Sequence, residues 1–424
     1  MNLINKIKKI IYKLLKKSEK WTKTDMIYLA KGGFWLTLGQ GFSSLSAFLL
    51  AIAFANLLPK EVYGNYKYIL SIAGILAIPT LSGMNTAIVQ AVARGYEGSV
   101  IPALKTKIKW GLLGGISSLA LALYYFLNDN TTLTISFLII SIFIPFMDSL
   151  SIYSSYLNGK KDFKNLSKYN IITTIISILI MLTVIFFSKN IFLIIASYFA
   201  SNTILRLIFF KLTFNKNILN DKKDKNTISY GKHLSLMNVL NTVSFYLDKL
   251  LIFHFLGATE LAVYSIAIAP SEQIKGLIKN VNILALPKFS SHKFGEIKKN
   301  LNSKIIKMII TLFIISATFI IFAPLLYKIF FPQYLEAVNL SRLFSISLIL
   351  FGPIIILLSF FQSKEKKMIL YQYNIIKPII KIVLLAILVN FFGLIGVITA
   401  TIISYLLELL FLFFRYYFLE AETQ

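Results

Sequence analysis

Twelve apolar runs of about 20 residues, the length a helix needs to cross a bilayer's hydrocarbon layer, divide this 424-residue chain. They lie near 33–56, 67–92, 108–127, 133–157, 168–188, 190–211, 233–256, 261–286, 304–330, 338–361, 368–391 and 393–417. No soluble core absorbs that much apolar surface when 57% of residues are hydrophobic, 15% are charged and the mean hydropathy is +0.73. A backbone in lipid must satisfy its own hydrogen bonds, so the runs are read as helices. The expected fold is an all-α polytopic membrane protein of about 12 transmembrane helices.

A net charge of +26 raises nucleic acid as a partner, but the placement of the charge answers otherwise. With both termini on one side, 33 of the 44 Lys and Arg fall in tails, loops or helix ends of that side, whereas only Lys60, Lys67, Lys189 and Lys328 fall opposite. The positive-inside rule makes the basic side, including both termini, cytoplasmic. Within residues 1–31, Leu3, Ile4, Ile7, Ile10, Ile11, Leu14 and Leu15 recur at helical spacing with lysines between them. That pattern predicts a basic amphipathic segment lying on anionic lipid, and its length and the full span after it do not fit a cleavable signal. The chain has no cysteine, and its histidines, His233, His254 and His292, are scattered. Disulfides are therefore excluded, and no metal site or histidine-based catalytic centre is expected.

The longest polar interruption, 212–232, separates six spans from six. The expected organisation is a lobe over 32–211, a cytoplasmic linker over 212–232, a second lobe over 233–418 and a tail over 419–424. Six spans return the chain to its starting side, so the lobes would enter the membrane in the same orientation, as a parallel repeat. "NLLPKEVYGNYKYIL" (56–70) and "HFLGATELAVYSIAI" (254–268) align loosely, pairing Leu58 with Leu256 and Tyr66 with Tyr264.

The order and spacing of "LLPKEVYGNYKYILSIAGIL", "LSGMNTAIVQAVARG", "LNGKKDFKN", "LPKFSS", "FFPQYLEAV" and "FFGLIGVITATIIS" resemble the polysaccharide repeat-unit flippases of the multidrug, oligosaccharidyl-lipid and polysaccharide exporter superfamily, over nearly the whole chain. Phe331 and Pro332 stand where such relatives often carry a glycine before the tyrosine. The resemblance implies two six-helix lobes around a central cavity in a bacterial plasma membrane. It also implies that a polyprenyl-diphosphate-linked oligosaccharide, of the O-antigen or capsule repeat-unit kind, moves from the inner to the outer leaflet. A polysaccharide polymerase and chain-length proteins are partners it allows.

Charges within the spans suit that cargo. On a helical wheel Asn238, Asn241, Thr242, Asp248 and Lys249 fall within about 120°; Glu272, Lys275 and Lys279 share a face at i, i+3, i+7. Lys377 and Lys381 follow in the eleventh span beside Pro378, and Arg342 sits near the outer end of the tenth. Of seven basic residues within spans, only Arg206 belongs to the first half. Lys249, Lys275, Lys381, Lys279, Lys377, Arg342, Asn241 and Asn238 are the candidates for binding diphosphate and glycan. Asp248, Asp148, Glu272 and Glu408 are candidates as counter-ions or as carriers of a coupling cation, H⁺ or Na⁺. Blander readings stand beside these: Lys377, Arg206 and Arg342 snorkelling to a surface, Lys275 pairing only with Glu272, and Asp148 bonding to Ser149 or Ser151. No cofactor is expected. The short loops argue against an enzyme; a cation-coupled multidrug exporter of the same superfamily is the alternative, which the buried lysines disfavour.

Overall fold

The computed structural model describes residues 26–216, 219–290 and 294–421. The amphipathic stretch before residue 26, His292 and residues 422–424 lie outside them, and so do the side chains of 280–300, including those of "LPKFSS".

The described residues are almost entirely helical. The first lobe comprises α1 (Met26–Leu57), α2 (Lys60–Leu76), α3 (Gly83–Ala93), α4 (Val100–Leu127), α5 (Thr131–Leu150), α6 (Ile152–Gly159), α7 (Phe163–Phe187) and α8 (Ile191–Lys216). The second comprises α9 (Thr227–Leu256), α10 (Ala258–Ser290), α11 (Phe294–Phe330), α12 (Ala337–Ser345), α13 (Ser347–Ser363) and α14 (Lys367–Ala421). Nine helices among the described residues are long and apolar enough to span a membrane, ten if the bent pair α2 and α3 counts as one. Two further features complete twelve. α14 reverses at Gly393, whose φ of 53° and ψ of −134° suit a residue without Cβ, so that Gly396 closes on the Leu388 carbonyl. α10 is of span length but carries Glu272, Lys275 and Lys279.

Local chemistry sets where the helices break. Pro59 caps α2, as suits a residue with fixed φ and no N–H to leave unpaired. The span therefore begins at Lys60, a full seven residues before the apolar window. It bends by 44° at Ile78–Thr80, where Pro79 interrupts the ladder and Leu81 takes a left-handed φ of 59°. Ser188, extended at φ −148°, makes the separation between α7 and α8 a true turn. "FFPQY" forms a short 3-10 turn, Pro332–Tyr334, with Tyr334 buried against Lys60.

The lobes meet through α1, α2 and α3 on one side and α9 and α10 on the other. At the lysine-rich end Gly83 N–H donates to Ser235 Oγ (3.0 Å), and Gly231 lies against Met84. At the opposite end Lys60 pairs with Glu336 (2.6 Å), Asn56 Nδ2 donates to the Phe330 carbonyl (2.8 Å), and Gly64 lies against the Ala258 carbonyl. One apolar core joins the lobes around Tyr63, Tyr66, Ile252 and Tyr264; separate clusters fill the lysine-rich end of each lobe.

Candidate functional site

Part of the polar stripe of α9 faces a cavity of about 490 Å³ at the lobe interface, which six lysines and two carboxylates line. α9 supplies Asn241, Asp248 and Lys249, α10 supplies Glu272, Lys275 and Lys279, and α14 supplies Lys377 and Lys381. The sixth lysine, Lys67 of α2, comes from the other lobe. A second cavity of about 470 Å³ adjoins it on the first-lobe side, lined by Asp148, Tyr198, Arg206 and Tyr246; Lys67 and Lys249 line both.

Half of the positive charge is committed within the protein. Asp248 is buried and accepts from Lys249 Nζ (3.2 Å), the Lys249 backbone N–H (2.8 Å) and Tyr264 OH (2.8 Å). Both of its oxygens are engaged. Although neighbouring helix positions point about 100° apart, the lysine stem is long enough to fold back, and the two residues pair. Lys275, 2% exposed, holds Glu272 at 2.9 Å and lies over the rings of Phe344 (4.1 Å) and Tyr405 (4.8 Å), an aromatic cage that favours a cation kept from water. Lys377 Nζ is 3.7 Å from Glu408, whose buried carboxylate also accepts from Tyr373 OH (2.8 Å) and Ser404 Oγ (3.3 Å). No carboxylate among the described residues is within ion-pair distance of Lys67, Lys279 or Lys381.

Two expectations and one of the blander readings need correction. Arg342 does not reach either cavity: its Nε donates to the Ile320 carbonyl (2.9 Å), tying α12 to α11. Asn238 is exposed and lines neither cavity. Asp148 is not held by serines. Ser149 Oγ donates to the Pro145 carbonyl and Ser151 Oγ to the Asp148 main-chain oxygen, as small hydroxyls in helices commonly do, while the carboxylate takes Arg206 Nη1 at 3.1 Å. Arg206 also donates to the Met147 carbonyl (2.8 Å) and is thereby fixed beside the cavity instead of reaching for a surface.

Lys67, counted in the sequence only among the charges of the outer side, is a cavity residue. A signal was present: with Pro59 as cap, Tyr63, Lys67, Ser71 and Gly74 recur at three- to four-residue spacing on one helix face, about 10 Å into the span for Lys67 at 1.5 Å per residue. Lys107, counted with the inner loops and helix ends, is fully buried in α4 and donates to Asn85 Oδ1 (2.8 Å). Among the described residues no cluster of His, Asp and Glu could hold a metal ion.

The arrangement offers a large chamber with surplus positive charge between two lobes. A family model described as polysaccharide biosynthesis protein matches residues 29–293. Among solved structures, the fold is similar to that of the lipid II flippase MurJ in an inward closed conformation, with a TM-score of 0.70 at 16% identity over 89% of this chain and 86% of that one. It is also similar to an outward-facing multidrug resistance MATE transporter, with a TM-score of 0.65 at 14% identity over 93% of this chain and 97% of that one. A transporter of the same superfamily from Pyrococcus furiosus, described as having a binding pocket of reversed polarity, gives 0.57 at 14% identity over 92% and 95%. No curated protein matches the chain in sequence.

Proposed function

Because this chain belongs to the polysaccharide biosynthesis protein family, we propose that it flips a polyprenyl-diphosphate-linked oligosaccharide from the inner to the outer leaflet of a bacterial plasma membrane, with both termini cytoplasmic. One observation carries the reading: Lys67, Lys279 and Lys381 line a shared cavity with no carboxylate of the described residues within ion-pair distance. A diphosphate diester needs such a site to leave water, since each charge-assisted hydrogen bond in a low-dielectric chamber is about twice as strong as a neutral one. The polyprenyl chain needs no polar contact and stays in lipid at the seam between lobes. An exporter of cationic drugs would meet six lysines against two carboxylates in that cavity, so the multidrug alternative is disfavoured on electrostatic grounds.

The assignment is tested by binding of a short-chain prenyl diphosphate to purified protein and by surface glycan in cells. Lys381→Ala and Lys67→Ala should each weaken binding by roughly 10- to 100-fold, the loss of a hydrogen bond to a charged group, and reduce export while leaving insertion intact. Lys381→Arg should recover only part of the loss, because a planar fork does not fit where a compact ammonium did. Normal binding and export by both alanine variants would refute the diphosphate site.

A further inference from the structure

The first-lobe cavity differs chemically from its neighbour. Its charges nearly cancel: Arg206 pairs with Asp148, and Lys249 with Asp248, so of the cations lining it only Lys67 lacks a carboxylate. Yet the Arg206–Asp148 pair is not sealed off, with side chains 24% and 41% exposed. The contacts with Asp148 and Met147 use Nη1 alone, leaving Nη2 and Nε as donors, and Asp148 Oδ2 as acceptor, without a protein partner among the described residues. The rings of Tyr198 and Tyr246 line the same chamber. Both are fixed from behind: Tyr198 stands edge-on to Tyr66 (6.3 Å) and Phe199 (5.1 Å), and Tyr246 is seated against Gly74 with no room for a Cβ between them.

We infer that this chamber is a sugar subsite, holding the first sugar or sugars beyond the diphosphate while the lysines of the neighbouring cavity hold the phosphates. A pyranose presents adjacent hydroxyls, each both donor and acceptor, together with a C–H face. A guanidinium and a carboxylate side by side satisfy the first requirement, and a rigid aromatic ring the second. A drug-like cation would leave the guanidinium unmatched, and a second phosphate would be repelled by Asp148. At about 470 Å³ the chamber is within the range of small-molecule sites. Lys67 and Lys249, which line both cavities, mark the junction where the sugar–phosphate bond would sit.

This inference rests on the flippase reading, and the experiment separates the two. Binding to the purified full chain is measured for farnesyl diphosphate and for farnesyl diphosphate carrying one hexose, N-acetylhexosamine or hexuronic acid. At least one glycosylated probe should bind wild type about tenfold more tightly than the bare lipid. Asp148→Asn with Arg206→Gln, which removes both charges together, and separately Tyr246→Leu, should abolish that difference while the bare diphosphate binds as before. Lys381→Ala should weaken every probe. Absence of any sugar-dependent gain in wild type, or variants in the first-lobe chamber that weaken bare and glycosylated probes equally, would overturn the subsite and leave the diphosphate site standing. Unchanged binding of all probes by both Lys381→Ala and Lys67→Ala would instead refute the diphosphate site on which the flippase reading rests.

Discussion

Lys275 sets the strongest constraint at the scale of single residues, because its ammonium is buried among Phe344, Phe351 and Tyr405 with, among the described residues, only Glu272 paired to it. Removing one member of a buried pair leaves a charge uncompensated, whereas replacing it by an apolar group of similar volume is often neutral or stabilising. Glu272→Gln should therefore lower the thermal midpoint of the detergent-solubilised protein more than Lys275→Met does. The shift is moderated by the 38% exposure of Glu272. A larger loss from Lys275→Met would mean that the lysine itself holds the helices together. Asp248→Asn should be milder for export than Lys249→Ala, since asparagine keeps acceptor capacity toward Tyr264 and the Lys249 backbone. The order would reverse if the carboxylate carried a coupling proton. Much of this was legible in the sequence: the i, i+3, i+7 spacing put Glu272, Lys275 and Lys279 on one face, and the cavity receives all three. What spacing could not supply is partnership across helices. Nothing near Asp148 in the chain announces Arg206, and nothing near Lys275 announces the rings of α12, α13 and α14.

Elements close on one another where glycine lets backbones approach. A Cβ at Gly64 would collide with the Ala258 carbonyl, and one at Gly83 with the backbone of Leu234 and Ser235; neither obstacle is a flexible side-chain tip. The two substitutions act at opposite ends of the lobe interface and should bias it in opposite senses. Gly64→Ala should raise labelling of an engineered cysteine at Ala51, a cavity-lining position, by an impermeant maleimide applied from the end where α2 begins. Gly83→Ala should lower it. Equal labelling in both variants and the parent would show that these contacts do not control access. Helix positions were largely legible in the sequence because twenty-residue apolar runs admit few other structures. Their breaks were less so. The start of α2 was missed because Tyr63 and Lys67 are polar enough to interrupt an apolar window, although Pro59 marks the cap. The reversal at Gly393 turns on a single residue's φ, which hydropathy does not record.

Across the whole molecule, the connection between lobes is attached to one of them. Asn220 Nδ2 donates to the Gly95 carbonyl (3.0 Å), the Gly98 N–H donates to the Lys222 carbonyl (3.1 Å), the Asp224 N–H donates to Ser99 Oγ (2.9 Å), and Arg94 pairs with Asp224 (2.7 Å). The polar composition of 212–232 marks it as a linker; it could not reveal these polar ties, which are made to a turn 125 residues away. The Asn226 backbone N–H, helped by the Arg94 charge, lowers the Asp224 pKa. A depressed carboxylate contributes docking above its ordinary pKa of about 3.9 and loses it as pH falls through the lowered value, so the tie persists across neutral pH. The linker should then travel with the first lobe, so that any change of angle between the lobes would be taken up further along, where α9 leaves α3 to pack on α14. Two crosslinks on this cysteine-free chain discriminate the cases. Cysteines replacing Arg94 and Asp224, bridged by a short bifunctional reagent, should leave glycan export intact. Cysteines replacing Lys60 and Glu336, bridged the same way across the lobes, should stop it. Export lost in the first case would mean that the linker must undock during each cycle; export retained in the second would mean that the lobes need not separate at that end to release substrate.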